Sequence, residues 1–205
     1  MLYLLLQRRK LFRMNCLKAV VFCVLLLLCG IAGAKLLYFF ESGMRSFSGM
    51  SFFGSVYLVL LLMPVVGFFF RLRPKQSLDA CAPCVASIIG FMRFGCLCAG
   101  CCGGISASIG NFHFVWPTQL LEGIGDMMIL LLLLRLEQQD QLKGQRYSVF
   151  LIVYGFMRFF VEFARDTAKS WLGLSHGQWF SILGILLGAV IIWSDLKWKK
   201  SERNN

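Results

Sequence analysis

Six apolar stretches recur along the chain and constrain it more than any other feature: Ala19–Phe40, Phe52–Phe70, Ala80–Cys98, Thr118–Leu134, Tyr147–Phe163 and Trp179–Trp193. A helix needs ~20 apolar residues to cross a hydrocarbon layer. In that layer only helices or closed barrels satisfy the backbone. The stretches are too long for strands, and Pro74, Pro117 and Gly-rich or charged segments punctuate them as loops. Only 15% of the 205 residues are charged, against about 25% in soluble domains. The expected fold class is therefore all-α: a polytopic membrane helix bundle of about six transmembrane helices, forming a single domain over residues 1–205. Several spans are short, which tilt or packing must accommodate.

The first stretch has a second reading. A basic start, an apolar run and Ala32-Gly33-Ala34 resemble a signal peptide with its cleavage site. The apolar pattern continues through Leu36-Leu37-Tyr38-Phe39-Phe40, as a spanning helix requires.

Charge placement orients the bundle. The N-terminal cluster (Arg8, Arg9, Lys10, Arg13, Lys18), the loop residues Arg71, Arg73, Lys75, Arg135, Lys143 and Arg146, and the tail residues Lys197, Lys199, Lys200 and Arg203 fall on one side. These are 15 of the 21 Lys and Arg; the opposite loops hold Arg45, Arg165 and Lys169. Such asymmetry places both termini in the cytoplasm. The net charge of +11 is thus mostly topology, and nucleic-acid binding has no place in the account.

Arg93 opens the run RFGCLCAGCCGG near the outer end of the third span. An arginine at membrane depth costs ~2.5–3.5 kcal/mol on the insertion scale, so it usually marks function. Tyr154, Arg158, Glu162 and Arg165 recur at helical spacing and line one face of the fifth span. Glu122 and Asp126 stand one turn apart in the outer half of the fourth, with Gln119 a turn earlier. Two readings stay open: buried ion pairs that hold the bundle, or an anion site in which guanidinium forks meet phosphate oxygens.

Nine cysteines invite a metal, thiol-redox or disulfide reading, through Cys81-x-x-Cys84 and the group Cys96, Cys98, Cys101 and Cys102. The two groups lie a membrane thickness apart, and cysteine is also a small hydrophobe suited to helix contacts. His113 and His176 fall in outer loops.

Together these motifs resemble the bacterial prolipoprotein diacylglyceryl transferases. The resemblance rests on RFGCLCAGCCGG, on Pro117-Thr118-Gln119-Leu120-Leu121-Glu122, on Tyr154-Gly155 with Arg158-Phe159, Glu162-Phe163 and Arg165, and on Leu174-Ser175-His176-Gly177-Gln178. An earlier block, Gly30-Ile31-Ala32-Gly33-Ala34-Lys35-Leu36-Leu37-Tyr38, is similar with Lys for Arg. The resemblance implies a multi-pass enzyme of the bacterial cytoplasmic membrane that needs no metal or diffusible cofactor. It would move diacylglycerol from phosphatidylglycerol to the lipobox cysteine of lipoprotein precursors. Carried over residue by residue, it implies catalytic roles for Arg93, Arg158, Glu122 and Glu162. Gly104, Gln119, Tyr154 and Arg165 join Arg93 in binding substrate and membrane lipid.

The chain departs from the family pattern at several positions. Phe53 stands where the family has a histidine, so any thiol-proton acceptor must come from elsewhere, such as Glu122, Glu162 or His113. Ala99, Gly103 and Leu121 replace a family Asn, Tyr and Tyr. Met1–Leu6 looks like the tail of a first span that family members carry in addition. These departures keep two rivals in view: a catalytically inactive phospholipid-binding protein on the same scaffold, and a membrane thiol-redox protein.

Overall fold

The computed structural model describes residues 4, 6, 15–44, 51–101, 103–109, 112–165, 167 and 171–204. Arg8, Arg9, Lys10, Arg13, Arg45, Met50, Cys102 and Lys169 lie outside the described residues, as does the side chain of His113. Among the described residues, six long helices and one hairpin follow in order: α1 Cys16–Glu41, α2 Phe52–Phe69, α3 Pro74–Cys98, β1 Ser106–Ile109, β2 Phe112–Val115, α4 Thr118–Gln138, α5 Arg146–Val161 and α6 His176–Asn204. Among the described residues, five segments are long and apolar enough to cross a membrane: α1, α2, α3, Arg146–Ala164 and His176–Lys197. α4 has the length, at 21 residues, but carries Glu122, Asp126, Arg135 and Glu137. α1 runs unbroken through Ala32-Gly33-Ala34.

The helices carry large apolar side chains on their outward faces, as on Leu17, Val24, Leu28 and Phe40 of α1 and Leu186, Val190 and Trp193 of α6. In water such surface would drive aggregation. In lipid it is the expected exterior, and the chain is a multi-pass membrane protein.

Four helices start before the sequence expectation, α1 at Cys16 instead of Ala19 and α5 at Arg146 instead of Tyr147 among them, and for α3 and α6 the local cause is a cap. α3 begins at Pro74, not Ala80, because Pro occupies its first position and Gln76 Oε1 accepts the Arg73 N–H at 3.2 Å. α6 begins at His176, not Trp179, behind a capping box. There Ser175 Oγ accepts the Gln178 N–H at 3.2 Å and Gln178 Oε1 accepts the Ser175 N–H at 3.0 Å. His176, expected in a loop, is therefore the first residue of a helix.

Two compact units make up the chain: residues 1–85 with 140–146, and residues 86–139 with 147–205. In the first, α1 and α2 pack antiparallel so closely at Gly33 and Gly54 that a Cβ on either would strike the other's carbonyl oxygen. Ser55 Oγ donates to Gly30 O at 2.6 Å, and Phe22 meets Phe70 edge-on at 5.6 Å. Phe53, at the family's histidine position, is buried and stacks on Tyr57 at 6.1 Å.

The same unit joins two of the basic loops that charge placement assigns to one side. Buried Asp79 on α3 accepts the Gly144 N–H at 2.6 Å and the Arg146 N–H at 2.9 Å, with the Arg146 guanidinium 3.7 Å away. Gly144 adopts φ +79°, a conformation suited to glycine, in the turn that brings these amides to the carboxylate. Loss of one partner strands the other groups of a buried pair at a cost of ~3–5 kcal/mol. Asp79→Ala is expected to lower the thermal midpoint of detergent-solubilised protein by several degrees, and Asp79→Asn by less, since its amide oxygen still accepts one amide hydrogen.

Candidate functional site

The second unit holds the charged residues that the sequence singles out. Glu122, one turn into α4, is 1% exposed. Its Oε2 faces Arg93 Nε from α3 in an ion pair. Its Oε1 accepts Arg158 Nη1 from α5 and, at 3.2 Å, Arg165 Nη1. Arg158 then bridges to a second carboxylate, with Nη2 2.7 Å from Glu162 Oε2; Arg165 Nε lies 3.8 Å from the same oxygen. Three arginines and two glutamates thus form one buried network, with Arg93 7%, Arg158 8% and Glu162 5% exposed.

Small residues make this meeting possible. Gly123, next to Glu122, takes the Phe94 ring, which an added Cβ would approach to 3.0 Å. Gly125 takes Met157 of α5 in the same way, at 3.1 Å. α3 and α5 are thereby drawn against α4 on the flanks of Glu122.

Arg165 reaches the network by a route that the sequence periodicity does not give. α5 ends at Val161, Glu162–Ala164 tightens into a 3₁₀ turn, and Arg165 is extended at φ −94°, ψ 145°. Tyr154, Arg158, Glu162 and Arg165 therefore do not share one continuous α-helical face. Instead Arg165 forms an antiparallel bridge with Gly104, and the Ile105 N–H donates to Ala164 O at 2.9 Å. Gly104 also donates its N–H to Trp116 O at 2.9 Å. A Cβ on Gly104 would lie 2.8 Å from Thr118 Cγ2 and collide with Ala164 O. The position thus serves as a close backbone crossing.

Beyond Gly104 the chain forms the β1–β2 hairpin, antiparallel with Ser106 opposite Val115, where the sequence reading has only loop. Gln119 is buried and its Nε2 donates to Cys101 O at 2.6 Å, pinning the end of the cysteine run. Tyr154 is buried too and stacks on Phe150 at 5.5 Å. It interacts electrostatically with Arg158, Asp126, Arg93 and Glu122.

Of the cysteines in the two motifs, Cys81 and Cys84 take packing positions. Cys81 and Cys84 are buried in α3, where Cys84 Sγ donates to Ala80 O at 3.4 Å. Cys96, Cys98 and Cys101 lie near the end of that helix and form no disulfide among the described residues.

Two further groups adjoin the network. The α6 capping box is also its support: Ser175 Oγ donates to Glu162 Oε1 at 2.9 Å while accepting the Gln178 N–H. Gly177 lies so close that a Cβ there would be 2.8 Å from Glu162 Oε1. Ser-x-x-Gln is a local helix-start signal, legible in the sequence as a cap. Its contact with Glu162 is tertiary and has no sequence signal. The second group is Asp126, which is 0% exposed and interacts electrostatically with Glu122, Arg93 and Arg158.

What this arrangement can do follows from its donors. Arg158 spends both terminal nitrogens on carboxylates. Arg93 makes its ion pair among the described residues through Nε alone, not through its two Nη groups. A guanidinium held by one edge presents a fork suited to a phosphate or carboxylate.

Comparison with known proteins places these residues in context. The model of the prolipoprotein diacylglyceryl transferase family matches residues 1–194. The chain is 29% identical over 199 residues to phosphatidylglycerol–prolipoprotein diacylglyceryl transferase 2 of Clostridium perfringens, covering 86% of this chain and 78% of that protein. It is 31% identical over 130 residues to the corresponding transferase of Clostridium tetani, covering 57% of this chain and 52% of that one. Against that of Leptospira interrogans it is 26% identical over 201 residues, covering 77% and 63%.

Ser175→Ala removes both a helix cap and a hydrogen bond to a buried carboxylate, a combined loss of ~1–3 kcal/mol. Thermal unfolding in detergent is expected to show that loss, with Ser175→Thr close to the parent because the hydroxyl remains.

Proposed function

The chain belongs to the prolipoprotein diacylglyceryl transferase family, and from that premise we propose that it transfers the sn-1,2-diacylglyceryl group of phosphatidylglycerol to the lipobox cysteine thiol of lipoprotein precursors. It would do so as a multi-pass protein of the bacterial cytoplasmic membrane, with both termini on the cytoplasmic side. Its partners would be phosphatidylglycerol, the lipobox of the precursor signal peptide, and surrounding membrane lipid.

The observation that carries this reading is the uneven use of the arginines. Arg158 is held between Glu122 and Glu162, whereas Arg93 makes its ion pair through Nε alone among the described residues. Arg93 is thus the group able to take the phosphodiester without breaking an existing ion pair. In the reaction the thiol sulfur bonds to the terminal glyceryl carbon, the carbon–oxygen bond to phosphate breaks, and glycerol phosphate departs. Negative charge grows on the phosphate oxygens as that bond lengthens. A guanidinium already oriented in a low-dielectric site stabilises the growing charge more than it stabilises the bound lipid.

In this account Arg93 binds and stabilises, and Arg158 adds positive potential to the same end. Glu122 and Glu162 orient the guanidinium groups and take no part in bond making. Arg165 completes the network. Gly104, Gln119 and Tyr154 shape the walls, Gly104 by allowing three segments to cross and Gln119 by holding the loop at Cys101.

Phe53 supplies the reason to keep the binding-only reading, because its buried aromatic ring cannot accept a proton. Incubation of purified protein with phosphatidylglycerol vesicles and a lipobox peptide separates the two. Formation of the thioether product supports transfer. Retained lipid binding without product, under conditions where the Clostridium perfringens relative is active, favours the binding protein. Arg93→Ala is expected to reduce transfer by ~10²–10³-fold, the loss seen when one charge-stabilising donor is removed. Arg93→Lys is expected to recover only part, since a point charge replaces the fork.

A further inference from the structure

We propose that Asp126 is the group that takes the proton from the substrate thiol, an assignment that rests on the transfer reading and supplies the acceptor that Phe53 cannot. Three carboxylates stand in the buried cluster, and two are committed. Glu122 faces Arg93 with one oxygen and receives Arg158 and Arg165 with the other. Glu162 receives the Ser175 hydroxyl on Oε1 and faces Arg158 and Arg165 with Oε2. Protonating either would forfeit ion pairs that hold three segments together.

Asp126 differs in every respect that matters. It is 0% exposed, yet neither carboxylate oxygen has a hydrogen-bond partner among the described residues. Buried polar groups in proteins are as a rule satisfied, so a carboxylate with neither oxygen committed inside a charged cluster points to a partner that arrives with the substrate. It lies one helical turn beyond Glu122 on the same face of α4. There it interacts electrostatically with Arg93 from α3, Glu122 from its own helix, and Arg158 and Tyr154 from α5. Across from it on α3 is Gly90, where an added Cβ would be 3.2 Å from Asp126 Cβ, so the helices approach closely beside the carboxylate.

The charges then balance through the reaction. With Asp126 in the ionised form that accepts the proton, its charge and those of Glu122 and Glu162 balance the three positive charges of Arg93, Arg158 and Arg165. Asp126 takes the thiol proton and becomes neutral while the sulfur acquires the electron pair. That pair forms the carbon–sulfur bond. The pair of the breaking carbon–oxygen bond leaves on glycerol phosphate, and the proton on Asp126 follows the departing phosphate. No oxidant, metal or second acceptor is required.

The test compares wild type, D126N and D126E in the vesicle and lipobox-peptide assay. D126N is expected to lose ~10²–10⁴-fold in kcat, the usual contribution of a positioned proton acceptor, with KM for phosphatidylglycerol within threefold of wild type. Raising the pH from 7 to 9 should recover at least tenfold of the D126N rate, because a peptide thiol with a pKa near ~8.5 then ionises unaided. D126E, which retains a carboxylate, should keep kcat within tenfold. A D126N kcat within fivefold of wild type overturns the assignment, as does a loss that raised pH does not relieve. If D126N is not recovered folded, D126E decides: a folded D126E with kcat reduced a hundredfold overturns it. Failure of the transfer reading shows separately, as absence of product from wild type, and removes this assignment with it.

Discussion

Glu122 is the counter-charge on which the second unit depends. One carboxylate from α4 meets Arg93 from α3, Arg158 from α5 and Arg165 from the turn after α5. A guanidinium placed at this depth without such a partner is heavily penalised, and three of them would repel one another. Glu122 therefore makes the spacing of three chain segments interdependent. Each arginine can lie inside only because the other segments deliver the same carboxylate to it. Glu162 extends the same logic by one link, joining Arg158 and Arg165 to the start of α6 through Ser175.

Side-chain charge alone does not fix this geometry, because Arg165 lies beyond the end of its helix. Its place is set by backbone pairing with Gly104, itself a crossing point for the segments at Trp116 and Ala164. The glycine has no Cβ to hold those segments apart, so a loop after α3, the entry to α4 and the exit from α5 close on one another. The rigidity of the site thus comes from two sources of different range. Ion pairs act between the helices, and a short irregular backbone ladder acts at their ends.

The parts of this that the sequence discloses are those set by local composition. The apolar runs yield helices at the expected places, and the spacing of Glu122, Asp126, Arg158 and Glu162 brings these residues into one cluster. The sequence also leaves open whether the charges make ion pairs or an anion site. The structure shows the ion pairs, and the proposed anion site rests on Arg93, which meets Glu122 through Nε alone among the described residues. What the residue pattern conceals has a physical cause in each case. The early starts of α3 and α6 depend on caps, which hydropathy does not register. The 3₁₀ turn at Glu162–Ala164 leads into the bridge of Arg165 with the distant Gly104, and the hairpin Ser106–Val115 is a four-residue pairing too short to stand out in the residue pattern. The difference between Asp126 and Glu122 is one of partners, and four residues of separation on a helix give them nearly equal standing in the sequence.

Two arginines close together need an anion, and a protein can supply that anion permanently or leave the place to a ligand. Supplying it in full gives stability with no affinity; supplying none gives a site that cannot fold in lipid. The observed division avoids both extremes. Arg158 is neutralised on both terminal nitrogens, which fixes the scaffold, while Arg93 is neutralised along one edge only. A phosphodiester carries a single charge and two free oxygens, and it fits the donors that Arg93 retains. The permanent carboxylate then works in the ligand's favour. It holds the fork in place beforehand, so on the proposed reading the lipid would not have to order a flexible side chain on binding.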